Sequence, residues 1–119
     1  MKIAVSARGN NLYADVDPRF GRARYILIVD DKGTVCDAWD NSANQNAMQG
    51  AGIQAAKMLA DKGVQVLLTG HCGPNAFRTL QAAGIKVGLV QSGTVRQAVE
   101  SFQRNEVSFA DQPNVEGQW

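Results

Sequence analysis

One histidine, two cysteines and a net charge of only +1 leave this 119-residue chain poor in several kinds of chemistry. Cys36 and Cys72 are too few for a disulfide framework. With His71 they fall short of a zinc ligand set in number and in spacing. A near-balanced charge gives no global attraction for nucleic acid or acidic membranes, so neither is expected as a partner. No apolar run approaches a membrane span. The first one, within MKIAVSARGNN, is too short for a signal peptide, so a cytoplasmic protein is expected. Neither GxxxxGK[ST] nor GxGxxG occurs, which removes the common nucleotide cradles, and the serines lack a GxSxG setting. The strand-like KIAVSA carries no acid, so a carboxylate-bound two-metal nuclease is set aside. Repeats and low-complexity segments are absent as well.

What is present describes an ordinary globule, with 45% hydrophobic and 19% charged residues. The length suits one domain with a core large enough to need no staples. KIAVSA (2–7) reads as a strand ending in the turn-rich RGNN. RYILIVD (24–30) is apolar on both alternations, as in a strand covered on both faces. DKG then turns the chain into TVCDAWD (34–40), antiparallel to it, and the acids Asp37 and Asp40 suit an edge. Within that strand Cys36 reads as a small apolar filler.

The polar NSANQNAMQG (41–50) leads into a helix that lasts to about Asp61, with Met48, Ala51, Ala55 and Met58/Leu59 on one stripe. VQVLLTG (64–70) is a fourth strand, and Pro74 starts a helix that stops at Gly84. IKVGLVQ (85–91) is a fifth strand. Thr94-x-x-Gln97 is a capping-box pattern at the start of the last helix. This order predicts a mixed five-stranded sheet with one antiparallel strand and helices on both faces. The reading divides the chain into an α/β domain (1–105) and a polar C-terminal tail (106–119). Ligands in such sheets collect beyond the carboxyl ends of the parallel strands, at loops 8–11, 41–50 and 70–75.

TGHCGPN (69–75) is the most distinctive of these stretches. As a strand-to-helix turn it accounts for the glycines and the proline, but not for His71 beside Cys72. As a helix N-terminus it also offers unpaired N–H groups and a dipole that favour an anion. Arg8, Arg19, Arg22 and Arg24 cluster ahead of it, with Asp15 and Asp17 as competing partners for one or two of them. An activated Cys72 thiol beside a helix start is a further reading. Met48 is either soft pocket wall or plain core.

Taken together, D-x-x-F-G-R (17–22), the Asn41 loop, GAG (50–52) before an alanine-rich helix, G-x-x-G-P-N-A (70–76) and L-x-x-A-G-I (80–85) resemble the dinitrogenase iron–molybdenum cofactor biosynthesis family over about residues 1–105. The resemblance implies a ribonuclease H-like three-layer sandwich. It further implies a non-catalytic protein that binds, stores or hands over a metal–sulfur cluster, expected to be a molybdenum–copper sulfide cluster, with another iron– or molybdenum–sulfur cluster as the alternative. Carried over by position, the cofactor site comprises Asp17, Phe20, Gly21, Arg22, Asn41 and Asn44 of the Asn-rich loop, and Gly70, His71, Cys72, Gly73 and Asn75. Arg8, Arg19 and Met48 join them from the residue reading. His71 and Cys72 are expected to make weak metal contacts only. Where many such proteins carry a histidine just before Phe-Gly, this chain has Arg19, which favours holding a complete anionic cluster by charge and hydrogen bonds. Two other readings stay open here. One is a cofactor-free regulatory or interaction module for a MinD-like P-loop ATPase, and the other is a small redox enzyme using Cys72.

Overall fold

Residues 1–45 and 50–113 are described by a computed structural model. Its strands are β1 (Lys2–Ala7), β2 (Tyr25–Asp30), β3 (Val35–Asp40), β4 (Val66–Thr69), β5 (Lys86–Leu89) and β6 (Ser108–Phe109). The helices are a single turn α1 (Ser42–Gln45), then α2 (Ala51–Asp61), α3 (Pro74–Ala82) and α4 (Val95–Gln103). One sheet holds every strand in the order β3-β2-β1-β4-β5-β6. β1, β4 and β5 run parallel, while β2 is antiparallel to both of its neighbours and β6 antiparallel to β5.

The sheet therefore has six strands where the sequence predicts five. β6 lies in the segment 106–119 read as a tail, and pairs Phe109 with Gly88 and Ser108 with Leu89. Two residues cannot display an alternation, so this strand leaves no periodic signal.

Period-two alternation sorts the core into two layers. Ala4, Ile26, Ile28, Leu67 and Val87 face α2 and α3. Ile3, Val5, Leu27, Val66 and Leu68 face α4. Helices thus cover both faces, and the interior residues of β2 are buried throughout. α4 begins as expected: Thr94 Oγ1 accepts from Gln97 N at 3.2 Å, and Gln97 Oε1 accepts from Thr94 N at 2.8 Å. Cys36 departs from expectation, because β3 is an edge strand and the cysteine is exposed rather than packed. No helix among the described residues is long and apolar enough to cross a membrane.

The three parallel strands end at one rim of the sheet. The loops after β1, β3, β4 and β5 all emerge there, so topology alone gathers the distinctive segments of the sequence.

Candidate functional site

A strap formed by residues 15–20 crosses that rim. Val16 bridges to Ala7 at the end of β1, and Arg19 bridges in parallel to His71 after β4. The backbone bonds behind this run from His71 N to Pro18 O at 2.5 Å and from Phe20 N to His71 O at 3.3 Å. Gly70 lets the strap descend so far. A Cβ on it would lie 2.6 Å from Pro18 Cβ and 3.2 Å from Gln91 Oε1.

After the strap comes a 3₁₀ turn, Phe20–Arg22, wedged against the first residues of α2. Its tightest point is Gly21, whose added Cβ would meet Gly52 N at 2.8 Å and Gly52 Cα at 2.9 Å. Asn41, fully buried, clamps the turn from behind. Its Nδ2 donates to Gly21 O at 3.2 Å and to Ala23 O at 2.8 Å. The turn therefore touches the start of α2 on one side and the His71 loop on the other.

Several sequence-predicted residues have packing or hydrogen-bond roles within the chain. Phe20 is fully buried in the core between the sheet and α2/α3, so it forms no exposed pocket wall. Gly21 and Asn41 serve backbone packing and hydrogen bonding of the turn. Arg19 is committed to Asp17: its Nε and Nη2 reach the two carboxylate oxygens at 3.2 and 3.3 Å, and its N–H donates to Oδ1 at 3.0 Å. Asp17 is almost fully buried, and a buried carboxylate needs such a partner. Of the partners the sequence offers the clustered arginines, Asp17 is the one that takes Arg19. Arg24 likewise holds Asp40 and stacks over the Tyr25 ring at 4.7 Å. The Asp40 carboxyl is held below the ordinary carboxylate range, first by the Ser42 N–H and then by Arg24. Arg8 lines a cavity of about 410 Å³ with Asp15, Pro18, Gln91 and Ser92, whose walls include neither His71 nor α2 nor α3. Asn44 lies on α1, its side chain outside the described residues, and Met48 lies outside them altogether.

Cys72 is core. It is 1% exposed, and burial pushes its thiol from an ordinary 9.0 up to about 12. A protonated, enclosed thiol is neither a nucleophile nor a ready metal ligand, which counts against the redox-enzyme reading. Above pH 9 the unfolded chain releases this proton while the folded chain keeps it. Stability is therefore intact below about pH 9 and falls toward pH 12, by about 1.4 kcal/mol per pH unit from this group. Denaturation of Cys72→Ala beside the parent between pH 8 and 11 isolates that slope, which the variant lacks.

What the rim does offer is a pair of open helix starts and one imidazole. α2 begins after Gly50, which has no side chain to cap it, and α3 begins after Gly73, likewise without a side-chain cap. α4, by contrast, is closed by its capping box. The first N–H groups of α2 and α3 have no intrahelical acceptor and carry the positive end of each dipole. His71 lies three residues before Pro74 opens α3, and its O accepts from Phe20 N of the turn packed on the α2 start; its Nδ1 is buried and has no hydrogen-bond partner among the described residues. Gly73 is the N-cap of α3, Asn75 lies exposed on its first turn, and Arg22 closes the 3₁₀ turn half-buried. No group of three or more His, Cys, Asp or Glu among the described residues could hold a metal ion. Backbone N–H groups at helix starts are donors suited to hydrogen-bonding an anion. Sequence reading missed Ser6 and Thr69, two fully buried hydroxyls beneath the strap. Their only signal is a polar residue near the end of two otherwise apolar strands.

The fold is shared with known proteins. The chain belongs to the dinitrogenase iron–molybdenum cofactor family, whose model matches residues 1–105. It is similar to the orange protein of Desulfovibrio gigas, solved in its apo form: 50% of residues are identical, 96% of each chain is covered, and the TM-score is 0.90. A Thermotoga protein of the DUF35 family, solved by NMR, is 33% identical over 98% of each chain with a TM-score of 0.84. An uncharacterized protein of Methanocaldococcus jannaschii is 29% identical over 105 residues, which is 86% of this chain and 85% of that one.

Proposed function

We propose that the protein binds a preformed, anionic metal–sulfide cluster, molybdenum–copper in composition, and stores or delivers it without catalysing a reaction. The observation that carries this reading is the buried Nδ1 of His71, without a hydrogen-bond partner among the described residues, on the loop into α3, which like α2 starts after a glycine N-cap that offers no side-chain cap. Family membership and the likeness to the orange protein support it. Such a cluster arrives with its own sulfide ligands, so the chain need supply only donors and a positive field. The N–H groups opening α2 and α3 and the His71 imidazole would provide the donors, and Arg22 would add charge. Residues 1–105 form the binding unit in this reading. The ribonuclease H-like label remains what the family resemblance implies for it.

Anaerobic reconstitution with tetrathiomolybdate and a copper(I) salt, followed by desalting, tests the proposal. Molybdenum and copper should co-elute with the protein in a fixed ratio and bring new charge-transfer bands in the visible. His71→Ala should retain the metals about tenfold less well, the loss of one charge-assisted hydrogen bond. Cys72→Ala should load like the parent. Both metals washing through the parent protein would overturn the reading.

A further inference from the structure

We propose that Ser6 and Thr69 are positioning residues: their paired hydroxyls latch the strap to the ends of β1 and β4 and thereby set where His71 presents its imidazole. The proposal rests on the cluster-binding reading above. Both side chains are fully buried, so neither can touch a ligand, and any effect on binding passes through what they hold. They neighbour each other across the parallel β1–β4 pair, on the sheet face that carries α2 and α3.

Ser6 Oγ lies 2.6 Å from Asp17 O and 2.7 Å from Thr69 Oγ1, while Thr69 Oγ1 lies 3.4 Å from Pro18 O. Two hydroxyl protons serve these three contacts. The shortest arrangement has Thr69 donating to Ser6 and Ser6 donating to Asp17 O. Asp17 N in turn donates to Ser6 O at 2.9 Å, and Pro18 O receives His71 N at 2.5 Å. Asp17 and Pro18 are thus the point where β1, the strap and the His71 loop meet. Among the described residues, these are the side-chain hydroxyls seen in hydrogen-bond contact with the Asp17 and Pro18 carbonyls, at strand positions where an apolar residue would satisfy packing. Without the latch the strap can shift, and the Arg19–His71 bridge moves the imidazole with it.

The test uses the full chain with Thr69→Val, Thr69→Ser and Ser6→Ala. The cluster-free protein is read by amide hydrogen exchange and by the ¹H–¹³C resonances of the His71 ring, and loading is measured with tetrathiomolybdate and copper(I). In Thr69→Val and Ser6→Ala, the Phe20 and His71 amides should exchange about tenfold faster while β2 amides keep their protection. The His71 resonances should move and metal retention should fall by on the order of tenfold, and Thr69→Ser should restore all three. Unchanged His71 resonances and exchange in both hydroxyl-less variants would overturn the proposal, as would altered His71 with full loading. So would a Thr69→Ser variant that behaves like Thr69→Val, since the methyl and not the hydroxyl would then matter. If Thr69→Val fails to fold, Ser6→Ala decides on the same readouts. Failure of the parent itself to load would strike the cluster-binding reading, and the latch would then stand or fall on the His71 resonances and exchange.

Discussion

Gly21→Ala is expected to destabilise the protein by about 2–3 kcal/mol and to abolish cluster loading, although the added methyl touches no ligand. The new Cβ would sit 2.8 Å from Gly52 N, 2.9 Å from Gly52 Cα and 3.3 Å from Ala51 C. All three are backbone atoms at the start of α2, which cannot rotate aside as a flexible side chain would. The 3₁₀ turn and the helix must separate, and the same separation pulls the α2 N–H groups away from His71. Denaturant unfolding should show a lowered midpoint with an unchanged slope, the sign of lost stability without a change of fold. A stability loss under about 0.5 kcal/mol would mean the contact between turn and helix is soft. The site would then be less rigid than the account requires.

Asn41→Ala carries the second large effect, a loss of about 2–4 kcal/mol. The fully buried amide gives both of its hydrogens to the turn, to Gly21 O and to Ala23 O. Truncation leaves two enclosed carbonyls without these donors and a small void beside them. Asn41→Asp keeps the shape but turns acceptors toward those carbonyls, and adds a charge where the side chain is fully buried. Thermal melts should therefore rank parent above Asn41→Ala above Asn41→Asp. An aspartate variant as stable as the parent would remove Asn41 from its role as a clamp.

These two residues also show what a sequence discloses and what it hides. The first five strands and the three longer helices follow from apolar runs and periodicity, because burial on one or two faces writes itself into residue order. Thr94 and Gln97 are legible for the same reason: a capping box is local, three residues apart. The family motifs around residues 17–22 and 70–76 fall on the rim where the parallel strands end. The work of single residues within them depends on partners distant in sequence. Asn41 sits in a polar stretch that reads as solvated loop, yet it is buried by a turn twenty residues earlier. Gly21 reads as part of a binding motif, while its neighbour is Gly52. Arg19 reads as one of four clustered arginines with Asp15 and Asp17 as competing partners, and the structure shows Asp17 holding it in a fork of contacts. Phe20 and Cys72 look like site residues because the motif surrounds them, and both face the core. β6 escaped because two residues carry no pattern.

In the proposed function the cluster is held by the rim formed by the 3₁₀ turn, the His71 loop and the starts of α2 and α3. Amide ¹⁵N–¹H spectra of the uniformly labelled protein, recorded during anaerobic titration with a preformed molybdenum–copper sulfide cluster, test it residue by residue. Saturable shifts are expected to be confined to residues 17–22, 51–53 and 70–76, with β3, β6 and the α4 start unmoved. Shifts centred on the Arg8 cavity or around Cys36 on β3, with the His71 loop unchanged, would contradict it.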